Sequence, residues 1–229
     1  MRLVAAILVL VSSSATALRA QQVAFAASVG AELDSATQAV VTRELVRARE
    51  RGIPVEPLLA KAREGRLKRA PGERIRFAVA ALAARLDSAR GALGSASTLS
   101  ELVGGADAIA AGADVAALRA LRAATAGSVA APVGTLAQLC ASGVAPKRAV
   151  EMIVALLKRN ATPAQLISLG NQVETDVASG LLPEESAAVR LRGVEASLGS
   201  GDKVQITSAP VFNNDGSLRT TPQKPTRRP

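Results

Sequence analysis

Three kinds of side chain in this sequence could do chemistry: a single thiol, scattered carboxylates and a dense run of cations. The chain has no His, Tyr or Trp, one Cys and three Phe. Without histidine it lacks the commonest general base and metal ligand, and one cysteine excludes thiolate metal clusters. Cys140 lies in Leu139-Cys140-Ala141 beside the apolar face of a short helix. A packed free thiol behaving as a small hydrophobe is the expected role, with no partner for an intramolecular disulfide.

Glycoside hydrolysis needs two carboxylates across a cleft. Glu64 or Glu73 would have to meet Asp87 or Glu151, and nothing in their spacing selects a pair. Sugar clefts also use aromatic platforms, which Phe77 alone cannot supply. Glu44, Asp107, Asp114, Glu174, Asp176, Glu184 and Glu185 fit surface, cap and first-turn positions. Asn213, Asp215 and Gly216 offer too few ligands for a calcium loop. No catalytic, cofactor-binding or metal-binding residue is therefore assigned, and the chain is expected to be non-catalytic.

The cations are more pointed. The formal net charge is +9, and between Arg43 and Arg90 thirteen basic residues stand against six acidic ones. The densest run is Lys61, Arg63, Arg66, Lys68, Arg69, Arg74 and Arg76, a candidate anion-binding patch. The competing reading is a set of solvated helix faces with local Glu–Arg pairs. Phe77 is the one ring near the run, so the stacking used for single-stranded nucleic acid is missing. Anionic lipid, anionic surface polymer or an acidic protein fits such a patch better than nucleic acid.

Export supports that preference. Arg2 followed by the apolar run Leu3–Val11 and the small, polar stretch Ser12–Ala20 reads as a secretory signal peptide over residues 1–20. Cleavage is expected after Ala20, with Ala17 and an uncleaved anchor as alternatives. The mature chain is then secreted or periplasmic. Its apolar runs are shorter than the about 20 residues a membrane helix needs.

The elements that must position these groups read as helices. The chain is 48% hydrophobic but only 1% aromatic, and Ala, Leu, Arg and Glu alternate with spaced Gly and Pro. After a lead at 21–30, a helical domain is expected over 31–199, with sub-units 31–103 and 104–199. Its first helix, 31–51, would bury Leu33, Ala36, Val40, Leu45 and Ala48, stopped by Gly52. A short helix from Pro54 would end at Gly65. A long one from Pro71 would bury Ile75, Val79, Leu82 and Leu86, and close at Gly91 and Gly94. Thr98 and Glu101 form a capping box, after which Gly104, Gly105 and Gly112 should break the chain before a helix at about 114–125. Pro132 opens a helix to Ser142. Pro146 opens the most apolar helix, with Val150, Ile153, Leu156 and Leu157, and Asn160 stops it. Thr162, Pro163 and Gln165 start the next helix, to about Ser179, and a last one through Val189 and Val194 ends near Leu198.

Two internal echoes stand out. Pro54–Gly65 resembles Pro132–Gly143 at an offset of 78, and Ala141–Pro146 resembles Ala178–Pro183 at an offset of 37. The fold class is thus all-α: short and long helices in antiparallel hairpins, as a divergent helical repeat array or as a non-repetitive bundle. Residues 200–229 read as a flexible basic tail, in which Val204, Ile206, Val211 and Phe212 are suited to a short hairpin or to docking on the helical body. Two functions fit: a structural or protein-interaction role in the cell envelope, and peripheral binding of anionic lipid or polymer.

Overall fold

The computed structural model describes residues 33–199, which form nine α-helices. These are α1 (Ser35–Glu50), α2 (Glu56–Leu67), α3 (Gly72–Leu93), α4 (Leu99–Ala110), α5 (Val115–Ala124), α6 (Ala130–Ala141), α7 (Pro146–Lys158), α8 (Pro163–Ala178) and α9 (Pro183–Gly199). The signal segment 1–20, the lead 21–30 and the tail 200–229 lie outside the described residues. No helix among the described residues is long and apolar enough to cross a membrane.

One turn recurs between helices. A residue in the left-handed region lies three places before the first residue of the next helix at Arg69, Gly112, Gly143, Asn160 and Gly180, with φ of 51°, 102°, 95°, 59° and 97°. In each turn the following amide donates to the carbonyl five residues back, as in Val144 to Leu139 (3.0 Å) and Leu181 to Asp176 (3.1 Å). This Schellman closure satisfies carbonyls that a helix end otherwise leaves open. After four of these turns the next helix starts on a proline, at Pro146, Pro163 and Pro183, or on the capping side chain of Asp114, which accepts from the Ala117 amide at 2.7 Å. After Arg69 it starts at Gly72, with Pro71 at the cap position.

Most helices pack on the next helix but one. In one layer α1 packs on α3, α3 on α5 and α5 on α7; in the other α4 packs on α6 and α6 on α8. Several of these neighbours run parallel. Arg76 of α3 reaches Asp34 at the start of α1, while Asp87 meets Arg51 at its end. In α7 and α9, the Ala145 amide donates to Glu184 (2.8 Å) and Arg159 pairs with Glu195 (3.5 Å). Between the layers lies a core of Leu, Val, Ile, Met and Ala, with Leu86, Leu102, Leu118 and Leu136 fully buried. Phe77 is not in it; the ring is 76% exposed.

Several expectations need correction. The first helix begins at Ser35, not residue 31, because the Asp34 carboxylate accepts from the Thr37 amide (2.9 Å). Its buried stripe is Thr37, Val41, Leu45 and Ala48, leaving Ala36 exposed and Val40 half-buried. The stripe is shifted because Thr37, a polar residue, is buried with its hydroxyl bonded by Arg76 (3.0 Å). Gly65, Gly91, Gly104 and Gly105 do not end helices. They lie inside α2, α3 and α4, so the boundary between 31–103 and 104–199 falls within a helix. At three of them the missing side chain admits a neighbour: a Cβ would stand 2.7 Å from Ile75 Cγ1 at Gly65, 2.9 Å from Val133 Cγ2 at Gly104 and 3.0 Å from Ala89 Cβ at Gly105. The last helix leaves Val189 52% exposed and buries Ser186 and Ala187 instead.

The two echoes differ in outcome. Gly143 and Gly180 occupy equivalent turns, and Gly143 lies against Pro183. Gly65 and Gly143 do not correspond, since the first is helical and the second is a turn. The helices that follow them have 22 and 13 residues.

Candidate functional site

All seven cations of the basic run lie on the α2–α3 hairpin, but they do not act as one free patch. Lys61 and Lys68 both bond the Glu64 carboxylate at 2.6 Å. Those two bonds, Lys61 first, hold Glu64 down at about 2. Arg76 turns toward α1, where it reaches Thr37, Asp34 and, within α3, Glu73. The Asp34 carboxyl is lowered by its bonds from Thr37 and, more weakly, by Arg76. Arg63 and Arg66 lie half-buried along α2. Exposed around the turn are Lys68, Arg69 and Arg74, with Leu67 (71% exposed) and Phe77 on either side.

The carboxylates do not pair. Glu64 belongs to its two lysines, Glu73 to Arg76 and Asp87 to Arg51, while Glu151 borders a groove between α5 and α7. Cys140 is buried in α6, and burial pushes its thiol pKa up, away from the reactive thiolate. Among the described residues no three His, Cys, Asp or Glu side chains gather in a way that could hold a metal ion.

Two acidic residues do more than sequence reasoning assigned them. Asp176 is a buried hub, not a surface residue: it accepts from Ser186 Oγ (2.7 Å), Arg190 Nε (2.7 Å) and Arg190 Nη2 (2.6 Å), tying α8 to α9. The bidentate arginine and the serine hold its carboxyl at about 2. Glu101, 4% exposed, completes its capping box with the Thr98 amide (2.8 Å) and also accepts from Ser128 Oγ (2.9 Å) and the Val129 amide (2.8 Å). Burial pushes its pKa up, and these bonds more than reverse that, so the carboxylate stays charged. It thereby fixes the start of α6 against the start of α4.

That placement frames a groove of about 560 Å³ between the N-terminal halves of α6 and α8. Its walls are Ala131 and Gly134 on one side and Pro163 and Ile167 on the other. Gln138, which packs over Gly170 and donates to Asn171 (2.9 Å) and Glu174 (2.5 Å), marks the deeper end. Ile167 is 49% exposed. Thr135 also lines the groove; it is only 2% exposed, and its hydroxyl has no hydrogen-bond partner. A buried hydroxyl without a partner loses free energy that a bound group could restore. No charged residue lines this groove, whereas the groove between α1 and α3 includes Glu44, Arg47, Arg51 and Asp87 and that between α5 and α7 includes Asp114, Lys147 and Glu151. The small residues at 130, 131 and 134 were its sequence signal: at helical spacing they leave one side of α6 bare.

Comparison of the chain with protein-family models, with curated proteins and with solved structures finds no match.

Proposed function

We propose that this chain is an exported, non-catalytic interaction protein of the cell envelope that recognises an uncharged segment of a protein partner in the α6–α8 groove. The observation that supports this most is the neutral groove with the buried, partnerless Thr135 hydroxyl in its lining. Apolar walls supply area, and one or two polar groups fix the register of an extended chain. The export reading rests on the Arg2, Leu3–Val11 and Ser12–Ala20 pattern, with cleavage after Ala20. A repeat array, built of hairpins around the shared turn, suits such a role because stacked helical pairs present long faces to partners. The recurring left-handed turn and the next-but-one packing support it.

A second reading has its own support. Lys68, Arg69 and Arg74 project beside the exposed Leu67 and Phe77, a mixture of cations and apolar tips suited to an anionic lipid surface. Salt separates the two. Binding through the basic turn should weaken steeply with ionic strength, and groove recognition should not. Affinity capture from envelope extracts at low and high salt is the test, using the natural sequence, Ile167→Glu and the double substitution Lys68→Glu with Arg69→Glu. Groove recognition is expected to survive salt and the double substitution and to be lost in Ile167→Glu. The reverse pattern would favour the lipid or polymer reading.

A further inference from the structure

We propose that the α6–α8 groove is occupied in the free protein by the chain's own segment Val204–Phe212, so that a partner must displace it. This rests on the reading of the groove as the interaction site and adds its regulation. Three observations lead to it. First, α9 returns antiparallel to α8: its beginning is bound to the end of α8 through Asp176 with Ser186 and Arg190, while Glu195 near its end pairs with Arg159, in the turn that precedes α8. Gly199, where the described chain stops, lies against that same Arg159, with its Cβ position 3.9 Å from Nη2. The chain therefore leaves the helical body at the end where α8 starts, and Pro163, four residues beyond Arg159, is already a wall of the groove.

Second, the reach suffices. An extended chain advances about 3.3–3.6 Å per residue, so the five residues from Gly199 to Val204 span roughly 17 Å. Tethering this close gives an effective concentration in the millimolar range, so a weak contact can still be populated.

Third, the chemistry matches. The segment Val-Gln-Ile-Thr-Ser-Ala-Pro-Val-Phe carries no charge and follows directly on Lys203. The groove likewise has no charged lining, unlike those beside α1 and α5. Alternation along an extended segment would put Val204 and Ile206 on the same side, two apolar groups suited to walls of Ala131, Gly134, Pro163 and Ile167.

The test is paramagnetic broadening in the chain from Gln21 to Pro229. A nitroxide is placed at Ser208→Cys in a Cys140→Ala background, and the amide signals of α6 and α8 are followed. The expected result is that signals of residues 131–138 and 163–167 lose at least half their intensity, and recover when Gly134→Leu fills the groove or Ile167→Glu charges it. Either substitution suffices, since a Cβ at Gly134 meets nothing within 4 Å and Ile167 is half-exposed. Unbroadened groove signals, or broadening centred on the Lys68–Phe77 turn, would overturn the proposal. So would broadening seen only between a labelled chain and a separate isotope-enriched chain, because the occupant would then be a second copy. None of these readouts needs the envelope partner, so failure of the partner reading and failure of the tail contact are told apart.

Discussion

The layer formed by α4, α6 and α8 and the hairpin formed by α2 and α3 are both helical, alanine-bearing and largely devoid of rings, yet their charges are placed differently, buried in one and exposed in the other. In the first, Gly104 of α4 lets Val133 of α6 approach, and Gly105 admits Ala89 of α3 from the hairpin itself. Its buried charges are bonded by other groups: Glu101 accepts from backbone amides and a serine, and Asp176 from Ser186 and Arg190 of α9. In the second, the surface is organised by ion pairs such as Glu64 with Lys61 and Lys68, whose partners are about half-exposed. Exposed pairs contribute about 0–1 kcal/mol each, so the hairpin relies on Ile75, Val79 and Leu82 for stability. Its exposed cations Lys68, Arg69 and Arg74 gather around the α2–α3 turn. Close packing occurs in both, since Gly65 lies against Ile75 within the hairpin as Gly104 lies against Val133 between α4 and α6. The difference lies at the surface, uncharged along the α6–α8 groove and cationic around the α2–α3 turn, and the two candidate functions follow that division.

The division can be tested by substitution. The largest effect is expected at Gly105→Leu. A side chain there would meet Ala89, Leu93 and Leu118, with first contacts at 3.0–3.4 Å. Overpacking of this kind costs about 1–3 kcal/mol, and the upper end is expected in urea denaturation because all three neighbours belong to the core. Glu101→Ala comes next. It removes the capping box and leaves the buried Val129 amide without an acceptor, a loss of about 1–2 kcal/mol.

Acid should loosen both regions, but salt should separate them. Asp176 and Glu64 each titrate near 2 when folded, below their ordinary values of 3.8 and 4.5. The unfolded chain therefore takes up these protons first on acidification. Stabilisation by both groups is complete above about pH 5 and is lost as the pH falls toward 2. Melting temperature followed over that range is expected to fall less steeply in Asp176→Asn and in Glu64→Gln than in the natural sequence. High salt should erase the Glu64 difference, since that side chain is 42% exposed, and preserve the Asp176 difference, since that one is 12% exposed. The smallest effect is a gain: Gly134→Ala is expected to raise stability by up to about 1 kcal/mol, because this helical glycine has open space where the Cβ would go.

Much of the fold was legible because its signals are local. Thr98 with Glu101 and Thr162 with Gln165 both form the capping boxes their spacing announced. Ile75, Val79, Leu82 and Leu86 are buried as a stripe, and Asn160 takes a left-handed turn conformation. The misreadings came from glycine, which marks a helix end in one place and a close helix contact in another. Gly143 and Gly104 look alike in sequence, and only the neighbour across the interface distinguishes them. The basic run was legible as composition but not as geometry, because its pairing depends on Glu64 and on Thr37 and Asp34 of another helix. The α6–α8 groove was illegible for the same reason: Thr135 and Ile167 become neighbours only through the parallel packing of two helices.

The most direct measurement is site-specific photo-crosslinking in living cells, with the reactive group at position 167 in one strain and at position 69 in another. Recognition through the neutral groove gives a discrete protein adduct from position 167 that persists in high-salt medium, and none of that mass from position 69. A protein adduct confined to position 69, or lipid adducts there with nothing at 167, would contradict it.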